Sequence, residues 1–265
     1  MTIISLSPLD LSLAALLILA LAFLSWRMHL GLGSGLLIAG ARTVIQLLLI
    51  GLVLEALFRN VDLGWIALLS LVMLTVAGRE VMARQKRHFT GWWGYGVGTL
   101  SMFVSSFSVT VLALVVVIGN DPWYQPQYSI PLLGMLLGNT MNGIALGLDR
   151  LTSSAWTQFR VIEARLMLGH SGAQAIENIR RESIRTGLIH ITNAMAAAGI
   201  VSLPGMMTGQ ILAGAPPIEA VKYQILIMFL IAGGTGFGTM VAVWLGAQRL
   251  FDERDRLRLD RLKGG

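Results

Sequence analysis

Polar side chains set among apolar ones carry whatever chemistry this 265-residue chain performs. Arg42 and Gln46 lie one turn apart on one helical face. There they either serve a function at membrane depth or let Arg42 reach toward phosphates at the surface. Asn139 and Asn142, in LLGNTMNGIALGLDRL, are three residues apart, so both can look into one interface or cavity. Asn193 precedes SLPGMMTGQIL, where Pro204 and Gly205 interrupt the helical pattern and Met206, Met207, Thr208 and Gln210 follow. A proline-glycine break frees carbonyls that protein or water must satisfy, and interrupted helices often line a solute site. Methionine sulfur is a soft donor for some transition metals, and in an apolar span it also simply packs. Metal ligands stay undefined: His29, His88, His170 and His190 are scattered, and there is no cysteine. No Ser-His-Asp set, paired intramembrane carboxylates or His-Glu-x-x-His motif is present, so the sequence expectation is a transport protein rather than an enzyme.

The elements that position these residues are membrane helices. Hydrophobic residues make up 55% of the chain and charged ones 13%, and the mean hydropathy is +0.70. Soluble domains carry roughly 25% charged residues. The pattern predicts an all-α polytopic membrane protein, a single transmembrane domain over 1–265. Runs at about 9–25, 36–58, 63–83, 94–118, 129–148, 187–212 and 218–248 approach the roughly 20 residues that cross a bilayer, giving about seven spans. MTIISLSPLD has no basic region before its apolar run, so no cleaved signal peptide is expected. All but Arg59 and Lys222 of the 20 Lys and Arg residues fall on one side of that arrangement. This asymmetry predicts the N-terminus outside and the C-terminus inside, and it accounts for the net charge of +6 without nucleic acid. Gly234, Gly238, Ala242 and Gly246 recur every four residues, as do Gly134 with Gly138 and Gly143 with Gly147, a spacing for close helix packing. Glu55, thirteen positions beyond Arg42, belongs to another face near the outer surface.

One long polar interval, 149–186, separates the fifth and sixth runs and is expected to be a cytoplasmic insert. It reads as two short amphipathic helices. The first, SSAWTQFRVIEARLML, sets Trp156, Phe159, Ile162 and Leu166 near one face. The second begins at Ser171, with Gln174 spaced for a capping box, and carries Glu177 and Arg181 one turn apart. Such helices form either a docking surface for a soluble partner or a loop lying on the membrane. The charged tail 249–265 alternates signs and is expected to be a solvated helical extension.

Glu163-Ala164-Arg165 followed by Gly169, with Ile179 ten residues on, resembles the cytoplasmic coupling loop of ABC importer permeases. Arg165 stands where that motif has alanine, and Arg181-Glu182 replaces its Leu-Pro. More widely, GNTMNGIALGLDRL, EARLMLG, SLPGMMTGQILAG and YQILIMF, with Arg42 and Gln46, resemble the FetB-like iron-export ABC permease family. That family also includes the plant aluminium-tolerance permease. The resemblance implies a permease of the bacterial inner membrane, paired as a homodimer with a separate ABC ATPase. ATP and Mg belong to that ATPase, with no cofactor in this chain, which has no Gly-x-x-x-x-Gly-Lys-Ser/Thr loop. Arg160, Glu163, Ala164, Arg165, Gly169 and Arg181 would then couple to the ATPase. Arg42, Gln46, Asn139, Asn142, Asn193 and Gln210 would line the path, and Pro204, Gly205, Met206 and Met207 the gate. Cargo would be iron or another metal ion, with a nucleotide sugar or other small solute as the alternative. An ATP-independent secondary transporter and a non-transporting scaffold are the rivals.

Overall fold

The computed structural model describes residues 7–264. The first six residues of the stretch read for a leader lie outside them. The described chain divides into two compact units, one up to Asp62 with Leu212–Ala215, the other Leu63–Ile211 with Pro216 onward.

In the first unit, Ser7 caps α1 (Pro8–Arg27) through a capping box with Asp10, and proline opens the helix. The Ser25 hydroxyl accepts from Leu32 N–H at 3.1 Å, fixing the turn into α2 (Gly33–Arg59). Both helices carry apolar side chains on their exposed surfaces, as lipid requires. Glu55 is exposed and pairs with Arg59 at 2.6 Å.

The second unit holds α3 (Leu63–Ala83), strand β1 (Arg87–Phe89), α4 (Trp92–Ile118), α5 (Pro126–Thr157) and three short helices. Those are α6 (Phe159–Met167), α7 (Gly172–Ala175) and, after the longer α8 (Glu177–Ala197), α9 (Gly205–Leu212), whose last residue counts with the first unit. Helix α10 (Pro217–Arg249) and strand β2 (Leu262–Gly264) complete it. Among the described residues six helices are long and apolar enough to cross a membrane: α1 to α5 and α10. The seventh expected span, 187–212, is not one helix. It ends at Ala197, turns through 198–204 and restarts at Gly205. The turn satisfies itself, with Val201 and Ser202 N–H donating to Ala197 O and Gly199 N–H to Ser202 O.

Helix α5 is the axis of this unit. It runs parallel to α10, and the stripe of small residues on α10 faces it. Gly234 lies against Leu136, Gly238 against Thr140 and Ile144, and Gly246 against Leu148 and Leu151. The antiparallel α8 approaches at Gly187, where a methyl group would stand 2.5 Å from the Gly143 carbonyl oxygen and 2.6 Å from a Thr239 methyl. Thr140, Thr235 and Thr239 line this seam with buried hydroxyls that find no partner. Gly134 meets Met73 of α3, whereas Gly138 has nothing within 4 Å.

The tail is not the expected helical extension. After Arg249 it forms a hairpin, with Phe251 bridging Leu257, and β2 pairs antiparallel with β1, Arg87 opposite Gly264. Leu262 is buried in the main core, against which Leu257 and Leu259 also pack. Burying those leucines outweighs the exposed charges between them.

Because the Gly143 backbone carbonyl blocks Gly187 along with the Thr239 methyl, Gly187→Ala should cost roughly 1–3 kcal/mol and lower the thermal midpoint in detergent. Gly138→Ala should leave the midpoint unchanged or raise it. Equal midpoints for the two variants would contradict this packing.

Candidate functional site

The unit has two chemically distinct ends. Helices α5 and α10 both finish where β1, the insert and the tail meet, so the basic segments read from the sequence gather at one end. The opposite end holds the starts of α5 and α10, the finish of α4, and α9.

At the basic end, α5 continues past Asp149 to Thr157, so Trp156 belongs to it and not to the insert. Helix α6 follows after Gln158. Its Ile162 is buried and Leu166 half-buried against the chain's own core. The Ile162 and Leu166 part of the predicted apolar face thus packs inward, whereas Trp156 is exposed. The outward face carries Arg160, Val161, Glu163 and Ala164 and ends on Met167 and Leu168, which are 82% and 80% exposed. Gly169, at φ +87°, stops the helix. Ser171 forms the expected capping box with Gln174, but α7 closes after one turn at Ala175 and a new helix starts at Glu177. Arg165 donates to Ala175 O at 3.2 Å, tying α6 to α7, and Arg181 pairs with Glu177 at 2.6 Å.

The tail clamps this insert. Asp255 Oδ1 accepts from Gly172 N–H at 3.0 Å, and Phe251 fills the space a side chain at Gly172 would need. Arg261 donates to the carbonyls of Arg249 and Phe251 at 2.9 and 3.0 Å. Asp252 accepts from the Arg256 and Arg254 amides, at 2.9 and 3.0 Å, and from Arg256 Nε at 2.8 Å. The Arg256 amide bond is the chief cause that holds the Asp252 carboxyl down at about 2. Asp260 is lowered too, first by its side-chain bonds from Arg258, whose guanidinium is raised in return.

The far end contains a cavity of about 180 Å³ lined by Tyr128, Met135, Met206, Gln210, Tyr223 and Ile227 among others. Gln210 Oε1 is buried and accepts no hydrogen bond. Next to it, Gln224 Oε1 takes the free Met207 N–H at 3.3 Å. Among the described residues no cluster of three His, Asp or Glu side chains could hold a metal ion.

The predicted path residues are dispersed. Gln210 lines the cavity with Met206, from the gate stretch, whereas Pro204, Gly205 and Met207 do not line it. Asn139 donates to Met135 O at 2.8 Å within its own helix, and Asn142 accepts from Arg84. Asn193 is exposed on α8, and Arg42 and Gln46 lie on α2 in the first unit. Tyr128, Met135 and Tyr223 are among the cavity residues that sequence reasoning missed, because single aromatic and thioether residues in apolar spans give no local signal.

Asp252 is held below its usual range, so its contribution is complete above about pH 4 and is lost as pH falls toward 2. Pepsin cleavage within 250–262 should therefore rise across that interval in the wild-type chain. In Asp252→Asn it should already be high at pH 4. Equal cleavage of both at pH 4 would refute the role of this carboxylate.

Sequence comparison sets the chain among known proteins. A membrane protein of Synechocystis sp. is 42% identical over 243 residues, covering 90% of this chain and 91% of that relative. "Probable iron export permease protein FetB" of Escherichia coli is 30% identical over 259 residues, covering 96% of each. "Protein ALUMINUM SENSITIVE 3" of Arabidopsis thaliana is 32% identical over 233 residues, covering 88% of this chain and 83% of that relative. No solved structure matches the chain. Residues 8–251 match a single family of multi-pass membrane proteins, and the chain belongs to it: Uncharacterised protein family (UPF0014).

Proposed function

We propose that this chain is the permease subunit of an exporter in the bacterial inner membrane. A separate ABC ATPase, holding ATP and Mg, supplies the energy, with two copies of each subunit. The observation that carries this reading is the outward face of α6. Val161, Met167 and Leu168 stand exposed beside Arg160, Glu163 and Ala164 at the charged end of the unit. Apolar residues rimmed by polar ones on an otherwise wet end suit a soluble partner. ATP-driven closure of the ATPase pair pushes on the insert, whose Arg165, Gly169 and Arg181 keep α6 to α8 in register.

From there α5, 32 residues and about 48 Å long, carries the displacement to the cavity end. Rocking of α5 against α8 and α10 repacks the glycine seam, and an alternative packing gives the hydroxyls of Thr140, Thr235 and Thr239 their missing bonds. Pro204 and Gly205 act as the hinge, with Met206 and Met207 at the gate. Gln210 faces the cargo. Asn142 and Asn193 line the approach from the other end.

Metal-ion cargo is favoured by the named function of the Escherichia coli relative and by size. A cavity of 180 Å³ has the volume of about six waters and falls short of the roughly 300–1,000 Å³ that drug-sized solutes occupy. That size favours an ion over a nucleotide sugar. Its neutral oxygen and thioether donors suit an ion that keeps part of its water, or a soft one, better than a bare hard cation.

Met167→Asp places a charge on the exposed face without touching the core. It should lower copurification of the coexpressed ATPase at least tenfold and abolish ATP-driven metal efflux from vesicles, with membrane insertion unchanged. Copurification at the wild-type level would remove α6 as the docking site.

A further inference from the structure

An open cleft of about 480 Å³ lies between β1, the last turns of α5 and β2, lined by Lys86, Arg87, Arg150, Ser153, Trp156 and Gly264, with Asp149 beside them. Three cations thus face one carboxylate. Asp149 Oδ1 accepts the Lys86 amide at 2.7 Å, so that carboxylate is already engaged by backbone. Among the described residues none of the three cations forms an ion pair with an acidic side chain. Arg87 is nevertheless fixed. Its guanidinium carbon lies 3.9 Å from the centre of the Trp156 ring, and Thr152 donates to its carbonyl at 2.8 Å. Holding Arg87 in place before any ligand arrives removes much of the ordering cost of binding.

The depth of the cleft identifies the occupant. From Tyr128 to Arg150 α5 rises about 33 Å, slightly more than the hydrocarbon thickness. The cleft therefore sits in the headgroup layer when Tyr128 sits at the opposite boundary. Trp92 and Trp93, both exposed, open α4 at this end, and Arg249 stacks 4.7 Å from the Trp93 ring. Exposed tryptophans with cations mark a membrane-water boundary. Cationic pockets on the basic side of membrane proteins recognise anionic headgroups.

We propose that this cleft binds the phosphate of an anionic phospholipid, with Arg87 as the fixed donor and Lys86 and Arg150 closing over the charge. The site is distinct from the outward face of α6 and does not depend on the ATPase reading. Bound lipid bridges α5 to the β1–β2 pair and hence to the tail.

The test uses the full-length chain in dodecyl maltoside, with native mass spectrometry to count bound lipid. Lys86→Gln combined with Arg150→Gln removes two exposed cations and leaves the Lys86 amide bond and Arg87 in place. Arg258→Gln, a tail cation outside the cleft, is the control. Phosphatidylglycerol should remain bound to the wild type and the control, and phosphatidylcholine should not. The double variant should bind phosphatidylglycerol at least tenfold more weakly. Millimolar inorganic phosphate should displace only part of the bound phosphatidylglycerol. Equal retention of phosphatidylglycerol by wild type and double variant overturns the site, as does equal retention of phosphatidylcholine. Stabilisation of the lipid-free wild type by phosphate as strong as by phosphatidylglycerol overturns the lipid as occupant and leaves a soluble phosphate. Loss of the ATPase by the double variant with lipid binding intact makes the cleft a protein-docking surface and also overturns the proposal.

Discussion

Everything in the larger unit depends on how closely α8 and α10 approach α5. At Gly143 and Gly187 two backbones meet with no side chain between them, and the small residues of α10 close the third side. In lipid, helices gain nothing by hiding apolar surface from water, so close backbone contact and packing must hold them together. That constraint fixes the rotation of each helix about its axis. It also sets which residues remain free at the two ends. The same seam buries the hydroxyls of Thr140, Thr235 and Thr239 without partners.

With the helices so fixed, the two ends can specialise. One end gathers sequence-distant segments, the β1 strand, the insert and the tail, into a small folded platform. Its contacts are mostly backbone ones: Lys86 N–H to Asp149, Thr90 N–H to Arg261, Gly172 N–H to Asp255. The surface salt bridges of the insert and tail add little, since exposed pairs are worth roughly 0–1 kcal/mol. The other end keeps a small cavity that helix packing leaves open where the chain breaks between α8 and α9. A rigid connection between a wet platform and a cavity near the opposite boundary is the arrangement a driven permease needs.

Much of this was legible in local pattern. Apolar length marked seven runs, six of which are spanning helices, the four-residue period from Gly234 to Gly246 marked a packing face, and Ser171 with Gln174 marked a helix start. What was not legible depends on partners remote in sequence. The stripe of Ile162 and Leu166 announced an apolar face but not that α6 would bury it against its own core. The charges of the tail suggested solvent, yet Leu257, Leu259 and Leu262 find the core and β2 finds a strand some 175 residues earlier. Pro204 and Gly205 announced an interruption within 187–212, but the helix already ends at Ala197, before Gly199 at φ +82°, and Gly205 opens the next helix. Asn139 looked available for a path, but its amide bonds the carbonyl one turn back. The cavity was invisible because Tyr128, Met135, Gln210 and Tyr223 converge only in space.

The central claim is that the α6 face lies on the cytoplasmic side and is covered by a nucleotide-driven partner. The chain has no cysteine, so Leu168→Cys introduces a single reporter at a site 80% exposed in the isolated chain. A membrane-impermeant maleimide should label it in inverted vesicles and not in intact cells, and the bound ATPase should protect it. Labelling from outside intact cells, or labelling indifferent to the ATPase, would contradict the account.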